Sequence, residues 1–400
     1  MIYLDSNASS RLRPAADAAV RRYLEQSREF GNPSSVHQAG RVVRAELRQA
    51  RRDIERLLSL GSECQGQLIF TSGGTEACNF MLSAFCGVGS GHIVASAIEH
   101  PAVLEKLRAL EEGSWEITLV RPDHFGFVEV DEMLRAVNEQ TALVCLMVAN
   151  NETGAIQDVA LLARKLREEN FQGAIVSDMT QALGKSQVSA ADLFHCGVTA
   201  VAISGHKIGG PSGIGALYFN KSDAQACHRL SPLLVGGPQE QRLRAGTENI
   251  IGALGFAAAA GEVYDSLELD IAKRRHLSRL FWELISRRLS DLRLLSSLSE
   301  AKLDLARALS NTLLISFAGC RGDDLVAAFD IAGLAASTGA ACASGKQDVS
   351  HAVEAMGLEE SVVRSVVRFS LDWDIEESSI VQAAEIVSVA VERMRSCSNI

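Results

Sequence analysis

Three short stretches of this sequence place polar, reactive side chains directly after apolar runs. In Phe70-Thr71-Ser72-Gly73-Gly74-Thr75-Glu76 two glycines let the backbone approach an anion closely. A helix starting there aims free N–H groups at the anion, and the Thr75 hydroxyl adds a further bond. By itself the stretch also reads as a glycine turn with Thr75 as helix cap. Ser177-Asp178-Met179-Thr180-Gln181 puts a carboxylate at the end of an apolar run, where alone it reads as a cap. Ser204-Gly205-His206-Lys207 follows another such run and leads into Ile208-Gly209-Gly210-Pro211-Ser212-Gly213. A lysine between a buried strand and a glycine turn is poorly placed for a solvated charge. Burial there favours the neutral amine, the form that condenses with an aldehyde to give a Schiff base. A Gly/Ser/Thr cradle for a phosphate, a carboxylate to keep a pyridine nitrogen protonated, and a lysine for an aldehyde are what pyridoxal 5'-phosphate (PLP) needs. The set is more specific than its members.

The elements that must position these loops show in the hydrophobic pattern. Gln67–Thr71, His92–Ala95, Glu116–Val120, Ala142–Val148, Ala174–Ser177, Ala200–Ile203 and Gly215–Phe219 are short apolar runs bounded by Gly, Pro, Asp or Asn, the pattern of strands buried on both faces. Amphipathic segments such as Pro101–Leu110 and Val159–Glu168 lie between them, so the expected fold is α/β around a mainly parallel sheet. Loops at the carboxyl ends of such strands converge, which brings the three stretches together. After about residue 260 the rhythm changes. A charged helix from Ile271 to about Ser290, a strand Thr312–Phe317, a helix from near Asp323, a strand Val366–Leu371 and a closing helix Glu376–Arg395 suggest a smaller α+β domain. The expected division is a PLP-binding large domain over residues 16–260, with residues 1–15 and 261–400 forming the small domain.

Composition narrows the function. The formal net charge is −10, which disfavours broad attraction to nucleic acid or an anionic membrane, so neither is an expected partner. The arginines between Arg41 and Arg56 read as the solvated face of a helix, with a docking patch as the alternative. The N-terminus has no basic segment followed by an apolar run, and Ile250–Gly261 is far short of a membrane span. Nine cysteines, scattered and without a Cys-x-x-Cys pair, argue against a disulfide framework and against zinc, and fit a reducing cytoplasm. Neither a Walker A loop nor a G-x-G-x-x-G fingerprint occurs, so nucleotide binding is not favoured, and a Rossmann oxidoreductase, which the α/β pattern also fits, lacks its fingerprint.

The chain resembles the cysteine desulfurases of the NifS/IscS type, which are fold-type I PLP-dependent transferases. The likeness runs through Tyr3-Leu-Asp5, Phe30-Gly-Asn-Pro-Ser34, Phe70–Glu76, Glu99-His100, Asn150-Asn-Glu-Thr-Gly154 with Gln157-Asp158, Ser204–Lys207, Arg244-Ala-Gly-Thr247 and Arg368-Phe-Ser370. The resemblance implies a large domain with a mainly parallel seven-stranded sheet, and a small domain carrying a catalytic-cysteine loop. It implies that Lys207 bonds the cofactor and moves protons at the substrate Cα, that Asp178 pairs with the pyridinium nitrogen, and that Gln181 bonds the ring hydroxyl oxygen. His100 would stack on the ring and act as acid–base. Gly74, Thr75, Ser204 and His206 would hold the phosphate, joined by Thr247 of a second subunit in a homodimer. Asn151 and Arg368 would bind the carboxylate of L-cysteine. The nucleophile would be Cys342, in Ala336-Ser-Thr-Gly-Ala-Ala-Cys-Ala-Ser-Gly345, where small residues suit a mobile loop; its other reading is a small core hydrophobe. The remaining eight cysteines look structural. Captured sulfur would pass to an acceptor protein.

Some positions depart from the family pattern. Ser337-Thr-Gly-Ala-Ala-Cys342 replaces Ser-Ser-Gly-Ser-Ala-Cys, Lys346-Gln347-Asp348-Val349 follows in place of Leu-Glu-Pro, Met179 stands for Ala, and Pro238 for Gly. None removes a named catalytic group. The sequence ends directly after the last expected helix, from which weaker engagement of the usual scaffold protein is expected. The alternatives are a cysteine or selenocysteine lyase that releases its product freely, and an idle homologue that only binds partners.

Overall fold

The computed structural model describes residues 1–25, 31–61, 66–86, 89–221, 230–296, 307–338 and 350–398. It opens with β1 (Ile2–Tyr3), α1 (Pro14–Glu25) and α2 (Gln38–Leu57). The alternating part follows: β2 (Gly66–Thr71), α3 (Gly74–Cys86), β3 (Gly91–Ser96), α4 (Pro101–Glu112), β4 (Trp115–Val120), α5 (Val130–Ala136), β5 (Thr141–Cys145), α6 (Val159–Glu168), β6 (Ala174–Asp178), α7 (Ala190–His195), β7 (Ala200–Ser204) and β8 (Gly215–Asn220). These strands form one seven-stranded sheet in the order β2-β8-β7-β6-β5-β3-β4. It is parallel except for β8, which runs antiparallel to both β2 and β7.

Period two places the side chains. Ile175, Val201 and Ile203 enter the core on one face of the sheet, while Ala174, Val176, Ala200 and Ala202 enter a second core on the other. With helices over both faces the strands need no polar side, so they read as nearly continuous apolar runs. The expected strand Ala142–Val148 ends at Cys145; beyond it the chain still bonds β6, through Leu146 N to Val176 O and Val148 N to Asp178 O. The arginine stretch belongs to α2, which buries Val43, Leu47, Ala50, Ile54 and Leu57 and turns Arg41, Arg48, Arg52 and Arg56 outward. Those four make a solvated helix face, while Arg44 and Arg51 are half-buried, Arg44 on Pro33 O and Ser35 O and Arg51 on Glu240.

The remaining elements are α8 (Ile250–Ser286), β9 (Leu292–Leu294), β10 (Thr312–Phe317), α9 (Gly322–Ile331), β11 (Leu334–Ala335), α10 (His351–Ala355), α11 (Glu360–Val363), β12 (Val366–Ser370) and α12 (Glu377–Ser398). β12, β10 and β9 make an antiparallel sheet, and a separate core gathers Phe281, Phe317, Phe329 and Phe369 with Ile380, Ala384 and Val387 of α12. The helix expected from Ile271 instead begins at Ile250 and is continuous over 37 residues. Its first half packs on α1 and α2, and its second half, with Leu277, Phe281 and Ile285, enters the aromatic core. The boundary expected at residue 260 therefore falls inside a helix. Among the described residues α8 is the one helix long and apolar enough to cross a membrane by length and composition, contrary to the short span read from Ile250–Gly261; half of its apolar window is buried in the protein.

The N-terminus crosses between the two parts. β1 pairs in parallel with β11, Leu4 N donates to Ala335 O, and Asp5 bridges to Ser370. Arg13 then returns to the large sheet's side, where its guanidinium meets Asp270 at 2.6 Å and Glu262 at 3.1 Å on α8.

Candidate active site

Asp178 is the last residue of β6 and Ser204 the last of β7, its neighbour; Gly205-His206-Lys207 form a single 3-10 turn immediately after. The Asp178 carboxylate is buried and accepts from Thr180 N at 2.8 Å, which orders the turn leading to Gln181. Across from this turn stands the start of α3. A Cβ added to Gly74 would lie 3.3 Å from Ser204 Cβ and 3.4 Å from Thr180 Oγ1. The Ser204 and Thr180 hydroxyl oxygens are themselves buried without a hydrogen-bond partner. Buried hydroxyls lacking partners, gathered at a glycine and a helix N-terminus, make a cradle suited to an anion. These residues fit the phosphate of PLP, with Lys207 and Asp178 beside it for the aldehyde and the ring nitrogen. Thr180 has no distinguishing mark in the sequence and is found only by its orphaned oxygen. Thr75 is exposed at the same helix start.

Lys207 is half-buried, not enclosed as its sequence setting suggested, and its amine donates to two backbone carbonyls, Asn7 O at 2.6 Å and Ala8 O at 2.9 Å. The Asn7 carbonyl also accepts from Gln181 Nε2 at 2.8 Å. Gln181 Oε1 in turn accepts from Lys185 Nζ at 2.7 Å. His206 approaches Ser9 Oγ at 3.3 Å; burial, aided by Lys207 and Lys185, pulls its imidazole down to about 4, so the ring is neutral near pH 7. The N-terminal segment is thus part of the site, and the Asn7 and Ala8 main-chain carbonyls it brings leave no trace in a motif.

His100 caps α4, its Nδ1 accepting from Ala102 N at 3.1 Å. In the neutral ring the proton therefore sits on Nε2. Burial lowers the His100 pKa, as do Lys207 and His351, while Asp178 opposes the shift. The preceding Glu99 is fully enclosed; its Oε1 accepts from Ser96 Oγ and Met147 N, each at 2.7 Å. Burial pushes its carboxyl up to about 8, with the Asp178 charge adding to the effect.

On the small-domain side Asn150 organises a turn, its Oδ1 accepting from Glu152 N and Thr153 N at 2.9 Å each, which fixes the half-buried Asn151. The Asn151 carbonyl accepts from Arg368 Nη1 at 3.2 Å and from Asn7 Nδ2 at 3.0 Å. Arg368, in β12, is 2% exposed and paired with Asp5 at 2.6 Å; its Nε remains without a partner. Of its five N–H groups the two bonds use two, leaving donors for a carboxylate. Thr247 lies exposed in the segment before α8, and its neighbour Arg244 pairs with Glu76 of the same chain at 2.9 Å.

Cys342 lies outside the described residues. The two chain ends that flank it are anchored at the site. Ser337 pairs with Arg368 through two backbone bonds, Arg368 N to Ser337 O at 2.6 Å and Ser337 N to Arg368 O at 3.1 Å. Ser350 donates to Glu152, and His351 Nε2 bonds Glu99 O at 2.9 Å. Cys342 is five residues beyond Ser337, at most about 17 Å along an extended chain. Of the other cysteines described, Cys78, Cys86 and Cys145 are buried and Cys196 and Cys320 half-buried, whereas Cys397 is exposed, unlike the apolar setting expected of a structural cysteine. Among the described residues no group of three or more His, Cys, Asp or Glu side chains is placed to hold a metal.

Residues 2–382 match the family model for class-V aminotransferases. A cysteine desulfurase IscS of Dictyoglomus turgidum is 32% identical over 99% of this chain and 96% of its own length. A cysteine desulfurase of Nostoc sp. is 34% identical over 100% of this chain and 94% of its own. Among solved structures, one described as a NifS-like protein superposes with a TM-score of 0.86 at 26% identity, covering 98% of this chain and 99% of that one.

Proposed function

This chain belongs to the class-V aminotransferase family, and we propose that it works as a PLP-dependent cysteine desulfurase taking sulfur from L-cysteine onto Cys342. The observation that carries this reading is the cradle of Gly74, Thr180 and Ser204 with Lys207 and Asp178 at its rim. When bound, PLP supplies an electron sink that makes the Cα proton of an amino acid removable.

The residues of this chain divide the remaining work. Ser204, Thr180, His206 and the free N–H groups at the start of α3, with Thr75, would hold the phosphate. Asp178 would hold a proton on the ring nitrogen, and Gln181 would donate its free amide hydrogen to the ring oxygen. Lys207 would be the lysine that bonds the cofactor aldehyde, and its amine, which the Asn7 and Ala8 carbonyls hold, would move the proton at the substrate Cα. His100, its pKa lowered by burial and its Nδ1 occupied by Ala102 N, would face the ring and serve the same proton transfers through Nε2. Asn151 and the unused donors of Arg368 take the substrate carboxylate. The Cys342 thiolate then attacks the substrate sulfur. An S–S bond forms as the C–S bond breaks, the substrate carbon keeps the electron pair and takes a proton, and alanine leaves. Both electrons lost by sulfur go to that carbon, so no outside oxidant enters.

The working unit in this reading is a homodimer in which Thr247 completes the partner's phosphate site. Exposure of Thr247 and of the nearby apolar Val235, at 86%, supports it. Free thiols at Cys78, Cys86, Cys145, Cys196, Cys320 and Cys397 support a reducing compartment such as the cytoplasm. The persulfide passes to an acceptor protein; assembly of iron–sulfur clusters is one destination, which the names of the IscS relatives support.

The test is alanine formation from L-cysteine, with added reductant, by the native protein and by Cys342→Ser, both loaded with PLP. Turnover by the native protein and at least a hundredfold loss in the variant is expected. Equal alanine from both removes Cys342 as nucleophile and favours a lyase that releases its product freely.

A further inference from the structure

Lys185 is a second lysine at the site, just after the Asp178–Gln181 turn, and the mechanism above leaves it unused. It is 3% exposed. Its amine donates to Gln181 Oε1 at 2.7 Å and to Asn7 Oδ1 at 3.1 Å. Gln181 Nε2 and Lys207 Nζ share the Asn7 carbonyl, at 2.8 and 2.6 Å. Lys185, Gln181 and Asn7 therefore close a ring of hydrogen bonds with Lys207 attached to one corner.

The Lys185 amine donates to both atoms it meets, and the acceptors are the amide oxygens of Gln181 and Asn7. That decides the orientation of two amides. Gln181 must turn its nitrogen towards the Asn7 carbonyl, which leaves its second N–H as the donor for the ring oxygen of PLP. Asn7 must turn its nitrogen towards Asn151 O at 3.0 Å and Thr312 Oγ1 at 2.9 Å, while its Oδ1 also accepts from Asn311 Nδ2 at 3.0 Å. Without Lys185 the Gln181 amide loses the partner that tells its two ends apart. Its flipped form would aim an oxygen at the Asn7 carbonyl and at the cofactor's ring oxygen.

We propose that Lys185 is a positioning residue of the cofactor site, fixing the Gln181 amide and the Asn7 side chain so that Gln181 donates to the ring oxygen and the Asn7 carbonyl stays available to Lys207. This rests on the reading of Gln181 and Lys207 as cofactor residues. Burial, and next the Lys207 charge, push the Lys185 amine well below the usual lysine range, a penalty that mere filling of space would not retain. A methionine of similar length would fill the same volume without it.

The experiment compares the native protein, Lys185→Met and Lys185→Gln, reconstituted with PLP. It reads PLP affinity and the pH dependence of the visible absorption of the lysine-bound cofactor, with the melting of each cofactor-free protein as a check on folding. The expected result is PLP binding at least tenfold weaker in Lys185→Met, with a displaced absorption–pH profile. Lys185→Gln, which still has an amide donor for Gln181, recovers most of both. A folded Lys185→Met that binds PLP within twofold of native and keeps the native profile overturns the proposal. Should the methionine variant not fold, a structure of the native holoenzyme decides. Lys185 bonded to Gln181, with Gln181 against the ring oxygen, upholds the inference; Lys185 turned away from Gln181 overturns it. Borohydride reduction of the native holoenzyme that fixes the cofactor on a lysine other than Lys207 is a separate outcome. It overturns the cofactor reading, and this inference with it.

Discussion

Glu99 is enclosed next to His100 and behind Asp178, and its carboxyl is pushed up to about 8 by burial. In an unfolded chain the same group titrates near the ordinary glutamate value, about 4.3. The folded pKa is the higher one, so the folded protein holds this proton across a window in which the unfolded chain has lost it. Stability from Glu99 is complete below the unfolded pKa and is lost as pH rises towards 8, by roughly a few kcal/mol in all. Glutamine keeps the acceptor used by Ser96 and Met147 and cannot ionise. Glu99→Gln should thus melt close to native near pH 5 and increasingly above it towards pH 8, followed in the cofactor-free protein; parallel curves would show that Glu99 is not held neutral. At this scale the sequence was informative where chemistry has a fixed spelling. Asp178, Gln181, Ser204, His206 and Lys207 all flank β6 and β7 as expected. Asn7 and Ala8 reach Lys207 through main-chain carbonyls that any residue carries, and nothing in the sequence sets Lys185 apart. Those could only be seen once the fold had brought them to Gln181 and Lys207.

At the scale of elements, apolar runs between turn residues located the strands of the large sheet to within a residue or so at most ends, because strands buried on both faces leave a compact and unmixed signal. Helix α8 departs from the sequence pattern for a physical reason. Its Ala/Gly-rich start is buried against α1 and α2, while the segment after Val263 alternates charged and apolar residues, so one helix carries two patterns because it crosses two environments. Gly261 sits near where the pattern changes. A Cβ there meets no atom within 4 Å, and the residue lies inside the continuous helix. Glycine costs about 0.5–1 kcal/mol relative to alanine in a helix interior. Gly261→Ala should therefore stabilise the protein by up to about 1 kcal/mol, read as a higher denaturation midpoint with unchanged slope. A lower midpoint would mean that α8 needs its glycine there, for a bend or for a surface that covers it.

Across the whole molecule the two ends of the chain meet at the site. Ser6 Oγ donates to Leu371 O at 2.7 Å, Ser10 Oγ to Asp372 at 2.5 Å, and Arg11 pairs with Asp374 at 2.9 Å, so residues 5–11 run along the end of β12 and the chain beyond it. The central link is Arg368 with Asp5. Removing one partner of a buried ion pair leaves a charge uncompensated and costs about 3–5 kcal/mol, whereas replacing both by apolar groups is often neutral. The Asp5 side chain is 19% exposed, which lets water compensate part of the loss and puts Asp5→Ala near the lower limit, about 3 kcal/mol. Arg368→Met in the same background should return most of that stability, because the unpaired charge is gone, yet substrate binding should remain impaired because the carboxylate has lost its guanidinium. Melting of the cofactor-free proteins and the KM for L-cysteine of the reconstituted ones separate the two effects. If the double variant melts as low as Asp5→Ala, the loss comes from detachment of the N-terminal segment and not from a stranded charge. The hydrogen bonds of Ser6, Asn7 and Ser10 would then be what joins the two halves of the site.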